Sequence, residues 1–198
     1  MSYTQEQLAQ AANEGSKKVA EAFERLSGIS TSVDTSSVAK LPLSEILEKV
    51  NPNDEHAVVI YSQFIDAKPT PGISILLLSR EGALALVDLL NQLPVGTTGI
   101  MKSIDRSALK ETLNILSNSY MTALAEAVDI EVGLSVPNMI TATRLKDILL
   151  NSTKIDENES SEGLLFKSEI TIGQSLIQAS LYIVFNKIFF QPEKENLE

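Results

Sequence analysis

The spacing of apolar and polar residues predicts two long amphipathic helices, one at the start of the chain and one in the middle. Residues 4–26 place small and apolar side chains on one face at 3.6 residues per turn, with Thr4 as the N-cap and Gly28 as the residue that ends the helix. The second helix begins near Ile104, and a change of pattern between Asp129 and Gly133 ends it. Its predicted buried face consists of Leu109, Leu113, Leu116, Tyr120, Leu124 and Ala127.

Shorter segments around these helices predict strands that pair as hairpins. Residues 57–66 are rich in β-branched side chains and precede a turn at 68–72 and an apolar strand, and residues 163–172 and 178–190 repeat this pattern. Short helices are predicted from Ser44 and over 145–150, and a further helix follows the N-cap Ser79. Hairpins without βαβ units favour an α+β fold with an antiparallel or mixed sheet and the two long helices together on one face.

The order of these elements occurs twice and predicts an internally duplicated single domain with pseudo-twofold symmetry. Asn13 and Asn114, which lie 101 residues apart, occupy matching positions in the two long helices. The predicted halves are about 1–92 and 104–190, with a linker at 93–103 and a frayed tail at 191–198. Gly96 and Gly99 in the linker lack the Lys and Ser or Thr of a phosphate-binding loop, so a plain connector is predicted. Residues 151–162 are acidic and polar and are expected to form a loop.

The second long helix carries a narrow polar strip opposite its predicted buried face. Ser107, Glu111, Asn114 and Asn118 fall on this strip at helical spacing. A Glu and an Asn three residues apart are common on solvent-exposed helices, so the pair alone indicates little. The wider pattern is more specific, because a Ser precedes Glu111 by four residues and Pro137 follows Asn114 by 23.

This pattern resembles the signature of the CheC/CheX/FliY phosphatases, which dephosphorylate the chemotaxis response regulator CheY. Their signature is Asp or Ser, three residues, Glu, two residues, Asn, 22 residues and Pro. The resemblance implies that Asn114 presents its carboxamide to the attacking water and that Glu111 forms a salt bridge with the active-site Lys of the regulator. It also implies a supporting hydrogen-bonding role for Ser107 and a structural role for Pro137.

The first half contains a degenerate copy of the same pattern. Asn13 is retained, whereas Gln10 stands in the Glu position, Glu6 in the Asp or Ser position, and Ser36 in the Pro position. A neutral Gln10 can form hydrogen bonds but contributes no ion pair. We therefore expect this first site to be weak or inactive.

Composition limits the chemistry that the chain can perform alone. A net charge of −10 and a pI near 4.7 disfavour a nucleic-acid or anionic membrane surface. The sequence has no Cys and a single His, so thiolate catalysis and a His cluster for a metal are excluded. No cofactor of its own is expected, because the resemblance assigns Mg²⁺ to the partner regulator. The N-terminal residues lack the pattern of a signal peptide, and a cytoplasmic protein is expected.

Three alternatives remain. The chain could be a CheC-like module that binds and regulates the receptor deamidase CheD without catalysis. It could be a flagellar-switch component resembling FliY, an alternative that we rank lower because FliY carries a further C-terminal domain. An unrelated enzyme is least favoured, since the sequence shows no Gly-rich nucleotide motif and no paired acid and base.

Overall fold

The first predicted helix is present as α1 (Gln5–Ser27) in a computed structural model that describes residues 4–50, 56–65, 72–128, 132–153, 162–173 and 177–186. Thr4 and Gln7 form a capping box, in which each side chain accepts a hydrogen bond from the backbone N–H of the other residue. The helix ends at Gly28, which adopts a left-handed conformation with φ 69°. Both ends predicted from the sequence are therefore confirmed.

The second predicted helix is α4 (Ser103–Val128). The Asp105 carboxylate accepts a 2.7 Å hydrogen bond from the backbone N–H of Lys102, which satisfies one of the free donors at the start of the helix. Asp129 lies outside the described residues. Two short strands follow, β4 (Gly133–Leu134) and β5 (Asn138–Thr141), in the region where an extended segment was predicted.

The remaining elements match the predicted order closely. Their bounds are β1 Thr31–Pro42, α2 Leu43–Val50, β2 Val58–Ile65, β3 Gly72–Leu78, α3 Arg80–Leu90, α5 Leu145–Thr153, β6 Glu162–Ile172 and β7 Ile177–Asn186. The long strand β1 precedes α2, the hairpin β2–β3 precedes α3, and α5 precedes the second hairpin β6–β7. A turn of 3₁₀ helix at Ala142–Arg144 leads into α5.

The loop predicted for residues 151–162 is wrong at both ends, because α5 continues to Thr153 and β6 begins at Glu162. The hydroxyls of Ser152 and Thr153 donate to helix carbonyls at 2.7 and 2.8 Å. Gln63 Nε2 donates to Ser152 Oγ at 2.9 Å, and Asn186 Nδ2 donates to the carbonyl of Thr153 at 3.0 Å. These contacts from distant strands hold the polar end of the helix in place. Residues 154–161 lie outside the described residues.

The seven strands that the structure describes belong to one sheet, and every pair among them is antiparallel. The order is β1-β6-β7-β3-β2, with β4 and β5 both paired to β2 at the far edge. The predicted α+β class and antiparallel sheet are therefore confirmed. β1, β2 and β3 are the first, second and third strands of the first half, and β4 with β5, then β6, then β7 hold these positions in the second half. Across the sheet the positions therefore run first, second, third, third, second and first. This order is compatible with the predicted pseudo-twofold relation, and the duplication itself stays a prediction.

Helices cover both faces of the sheet. α1, α3 and α4 share the larger hydrophobic core with one face, where Phe23, Leu113 and Phe166 are almost fully buried. The short helices α2 and α5 cover the other face around Ile46, Leu149 and Val184. The sequence predicted the two long helices on one face but not the covering of the opposite face by the short ones.

The linker between the two halves is fixed by one buried carboxylate. Asp88 in α3 has no exposed surface and accepts hydrogen bonds from the backbone N–H groups of Gly96, Thr97 and Thr98 at 2.8–2.9 Å. A side-chain hydrogen bond from Thr98 lowers the pKa of Asp88, and burial opposes this effect. Asp88 therefore holds the connector against the end of α3.

Candidate functional site

The polar strip of α4 faces away from the sheet, as the sequence predicted. Leu109, Leu113 and Leu116 on the opposite side of the helix are buried in the core. Glu111 is exposed and Asn114 is half-buried. The two side chains lie one turn apart on the same face, so a docking protein can contact both at once.

A hydrogen bond holds the carboxamide of Asn114. Asn118 Nδ2 donates to Asn114 Oδ1 at 3.0 Å and to the backbone carbonyl of Asn114 at 2.8 Å. The spacing along the helix predicts Asn118 on the polar strip but indicates no role for it. The spacing of four residues could have indicated this bond, because side chains at i and i+4 meet on a helix surface.

The other two predicted residues of this site, Ser107 and Pro137, lie in different layers of the fold, one on the helix surface and the other in the sheet layer. Ser107 is exposed on the strip, one turn before Glu111, and its hydroxyl donates to the backbone carbonyl of Ser103 at 3.2 Å. Pro137 is buried between β4 and β5, at the edge of the sheet. The neighbouring Ser135 exchanges hydrogen bonds with the backbone of Gln63 at 2.9 Å. The structure thus brings Ser107, Glu111 and Asn114 onto one surface and places Pro137 in the sheet layer.

The degenerate first site lies on α1. Glu6, Gln10 and Asn13 are all exposed on this helix. Ser36 lies in β1, and its side chain is outside the described residues. A shallow groove between the two long helices runs beside this strip, and its lining includes Gln7, Gln10, Ala11, Glu14, Lys18, Ala123, Glu126 and Ala127.

The two long helices pack closely and run in opposite directions. The start of α1 lies beside the end of α4, and at the closest approach Gly15 lies against the ring of Tyr120. A Cβ atom on Gly15 would lie 2.9 Å from three atoms of that ring. Counting residues from this contact, Asn13 and Asn114 are about 12 Å apart along the helix axes, at a rise of about 1.5 Å per residue. The two polar strips therefore occupy separate parts of one surface.

Glu111 and Asn114 are both carried by α4, and Glu111 is exposed to solvent. Among the described residues there is no group of three or more His, Cys, Asp or Glu side chains that could hold a metal ion. A groove elsewhere, between α3 and β7, is lined by residues such as Ser79, Gly82 and Gln178 and includes no residue of α4. The arrangement is suited to contact with a protein that brings its own reactive centre.

Solved structures with the same fold include flagellar and chemotaxis proteins. Thermotoga maritima FliY superposes with a TM-score of 0.68 at 17% identity, covering 96% of this chain and 94% of that chain. The FliG–FliM complex from H. pylori gives 0.67 at 14% identity, covering 93% and 94%. CheX in the CheX–CheY–BeF3–Mg²⁺ complex from Borrelia burgdorferi gives 0.54 at 13% identity, covering 87% and 96%.

The sequence itself matches no protein-family model and no curated protein. Among the helices that the structure describes, none has the length and apolar character needed to cross a membrane. The structural similarity extends over nearly the whole chain and includes proteins named in the resemblance drawn from Ser107, Glu111, Asn114 and Pro137. The predicted fold is therefore confirmed, and this chain has the fold of the CheC/CheX/FliY proteins.

Proposed function

We propose that this protein binds a phosphorylated CheY-type response regulator and hydrolyses its aspartyl phosphate. The observation that carries the proposal is the joint presentation of Glu111 and Asn114 on the open face of α4. The same fold occurs in CheX, which has been solved in a complex with CheY, BeF3 and Mg²⁺. The spacing of Ser107, Glu111, Asn114 and Pro137 supports the same assignment.

Hydrolysis of an aspartyl phosphate needs a water molecule in line with the leaving carboxylate and neutralisation of the phosphoryl charge. In the proposed complex the regulator supplies the phosphate, Mg²⁺ and its active-site Lys. Asn114 accepts a hydrogen bond from the attacking water through Oδ1 and holds the water in line. This role requires positioning and no covalent chemistry, so a chain without a nucleophilic Cys or a metal cluster in its described part can perform it.

Glu111 has the complementary task of anchoring the regulator. Its exposed carboxylate lies one turn before Asn114 and can pair with a Lys of the docked protein. Because the opposite face of α4 is packed in the core, the helix backbone holds the Cα atoms of Glu111 and Asn114 at a fixed separation before docking. Such preorganisation reduces the entropy lost when the complex forms.

The degenerate strip on α1 is proposed to contribute little to turnover. Gln10 is exposed where the pattern requires a carboxylate, so this strip lacks the charge that would pair with the regulator. The substitution Asn13→Ala is expected to leave most of the activity, whereas Asn114→Ala is expected to abolish it. Phosphate release measured on both variants separates the two strips.

The direct test is the loss of radiolabelled phosphate from a CheY-type regulator of the same organism in the presence of Mg²⁺. Wild-type protein should accelerate this loss, and Asn114→Ala should remove the acceleration while leaving the circular dichroism spectrum unchanged. An unaltered rate with Asn114→Ala would contradict the assignment of this residue.

A second candidate function is assembly into a flagellar switch. FliM in its FliG complex superposes with a TM-score of 0.67, against 0.54 for CheX, and this likeness of fold is the observation behind the alternative. The FliY chain is covered over 94% of its length, so length does not separate it from this chain. Binding to a FliG-type protein without acceleration of phosphate loss would select this alternative. The regulation of CheD stays an expectation from the sequence resemblance.

A further inference from the structure

The side-chain nitrogen of Asn118 donates to two oxygen atoms of Asn114. One bond, at 2.8 Å, goes to the backbone carbonyl of Asn114, and the other, at 3.0 Å, goes to Asn114 Oδ1. An amide nitrogen carries two hydrogens, so it can serve both acceptors at once. The helix backbone thereby fixes the orientation of the group that contacts the side chain of Asn114.

This contact determines which end of the Asn114 carboxamide faces Asn118. The terminal torsion of an Asn side chain is broad and roughly twofold, so an unrestrained carboxamide exchanges its oxygen and its NH₂ group between similar positions. Only the oxygen can accept a hydrogen from Asn118. The bond therefore selects one of the two orientations, and the second lone pair of Oδ1 remains able to accept a hydrogen from water.

We propose that Asn118 is a positioning residue that holds the Asn114 carboxamide in the orientation needed to orient the attacking water. This inference rests on the proposed function. Because the gain comes from a preset orientation, the loss of Asn118 should slow the chemical step and leave docking of the regulator intact.

The first strip differs at the corresponding position. Lys17 follows Asn13 by the same four residues, and both side chains are exposed on α1. Lysine has a long flexible stem and no carboxamide, so it cannot reproduce the short contact between neighbouring amides on α4. The two strips therefore also differ at a position outside the three helix residues of the motif, where Lys17 stands in the first strip and Asn118 in the second.

Two substitutions and one matched control test the inference. Asn118→Ala removes the donor, and Asn118→Leu removes it while keeping a side chain of similar shape. Thr122→Ala is the control, because Thr122 is exposed one turn later and its hydroxyl donates to the carbonyl of Asn118 at 2.8 Å. The kcat and KM for phosphate release are measured with the radiolabelled regulator, and the Kd is measured with the regulator loaded with beryllofluoride and Mg²⁺.

Both Asn118 variants should lower kcat by about three- to tenfold, the effect of one lost hydrogen bond. KM and Kd should stay within about twofold of the control, since the bond acts within the protein and not across the interface. Thermal unfolding midpoints should match those of Thr122→Ala. A kcat equal to that of Thr122→Ala, or a loss confined to KM, would overturn the inference.

The same assay distinguishes this inference from the proposed function. If the wild type accelerates phosphate loss, Asn114→Ala is inactive and the Asn118 variants match the control, only the positioning role is refuted. If the wild type itself has no effect on the regulator, the proposed function is refuted and the positioning role with it.

Discussion

The packing of Gly15 against Tyr120 gives a stability prediction that can be worked out from the structure. An Ala at this position would place its Cβ 2.9 Å from the ring, well inside the usual carbon–carbon contact of about 3.5–4.0 Å. The ring cannot move aside easily, because Tyr120 is 1% exposed and Phe166 lies edge-on at 6.2 Å between centroids. Phe166 in turn packs on Phe185 at 5.9 Å. The clash must therefore be relieved by movement of α1.

Two opposing effects set the magnitude. An Ala in the middle of a helix is favoured over Gly by about 1 kcal/mol. Overpacking of a dense core costs about 1–3 kcal/mol. Because the contacting group is a buried ring and not the flexible end of a side chain, we expect overpacking to dominate. Gly15→Ala should lower the free energy of unfolding by up to about 2 kcal/mol, the overpacking cost less the gain in helix propensity.

The assay is urea unfolding followed by circular dichroism, with the m-value as a check on two-state behaviour. The matched background is Tyr120→Leu, which removes the ring and is itself destabilising. In that background Gly15→Ala should lower the free energy of unfolding by less than it does in the wild type, or should raise it. An increase in stability of about 1 kcal/mol from Gly15→Ala alone would refute the reasoning, since helix propensity would then act unopposed.

Three further predictions concern a buried serine pair, a buried carboxylate and the docking face. Ser74 Oγ and Ser117 Oγ lie 2.6 Å apart in the core, so Ser117→Ala should cost about 1–2 kcal/mol. The double Ala variant should cost less than the sum of the single variants in urea unfolding, and additive costs would contradict the pairing. The pKa of the Asp88 carboxyl group is lowered in the folded state. The stabilisation from its ionised form is therefore complete above the ordinary pKa of Asp, and it is lost as the pH falls through the lower pKa of the folded state. The gap in unfolding free energy between the wild type and Asp88→Asn should therefore be full near about pH 7 and shrink below about pH 4, and a gap that widens in acid would contradict this sign. Glu111→Lys should raise the Kd for the beryllofluoride-loaded regulator by about tenfold or more, whereas Glu81→Lys, an equal charge change on α3, should not, and equal effects would indicate a general charge effect.

Local patterns in the sequence were sufficient to predict the helices and hairpins. Thr4 and Gly28 mark the ends of α1 because caps depend on neighbouring residues only. The end of α5 at Thr153 was missed because bonds from Gln63 and Asn186, which are distant in sequence, stabilise a polar segment that resembles a loop. Long-range pairing likewise sets the sheet order, in which β1 pairs with β6. No local pattern contains that information.

The candidate site was predicted from the sequence to a similar extent. Helical periodicity placed Glu111 and Asn114 together on an open face, and the structure agrees. The same periodicity could also predict the hydrogen bond from Asn118 to Asn114, but it could not predict the orientation of the two amide groups. The contact of Gly15 with Tyr120 depends on how two helices pack against each other. The small residues on that face of α1 predict a close approach to a neighbouring element but not the residue that it contacts.

Ser16 and Ser117 make matching contacts in the two halves, which helical periodicity alone does not predict. They lie 101 residues apart, the same separation as Asn13 and Asn114. Each is buried, and each hydroxyl contacts a serine of the sheet, Ser168 at 2.7 Å and Ser74 at 2.6 Å. The long helices are thus anchored to the sheet by the same type of contact at matching positions.

The most direct test of the central claim is the rate of phosphate loss from a radiolabelled CheY-type regulator with Mg²⁺ and either the wild-type protein or Asn114→Ala. The account predicts that the wild type accelerates the loss and that the variant, folded and still able to bind the beryllofluoride-loaded regulator, does not. Equal acceleration by both proteins would contradict it.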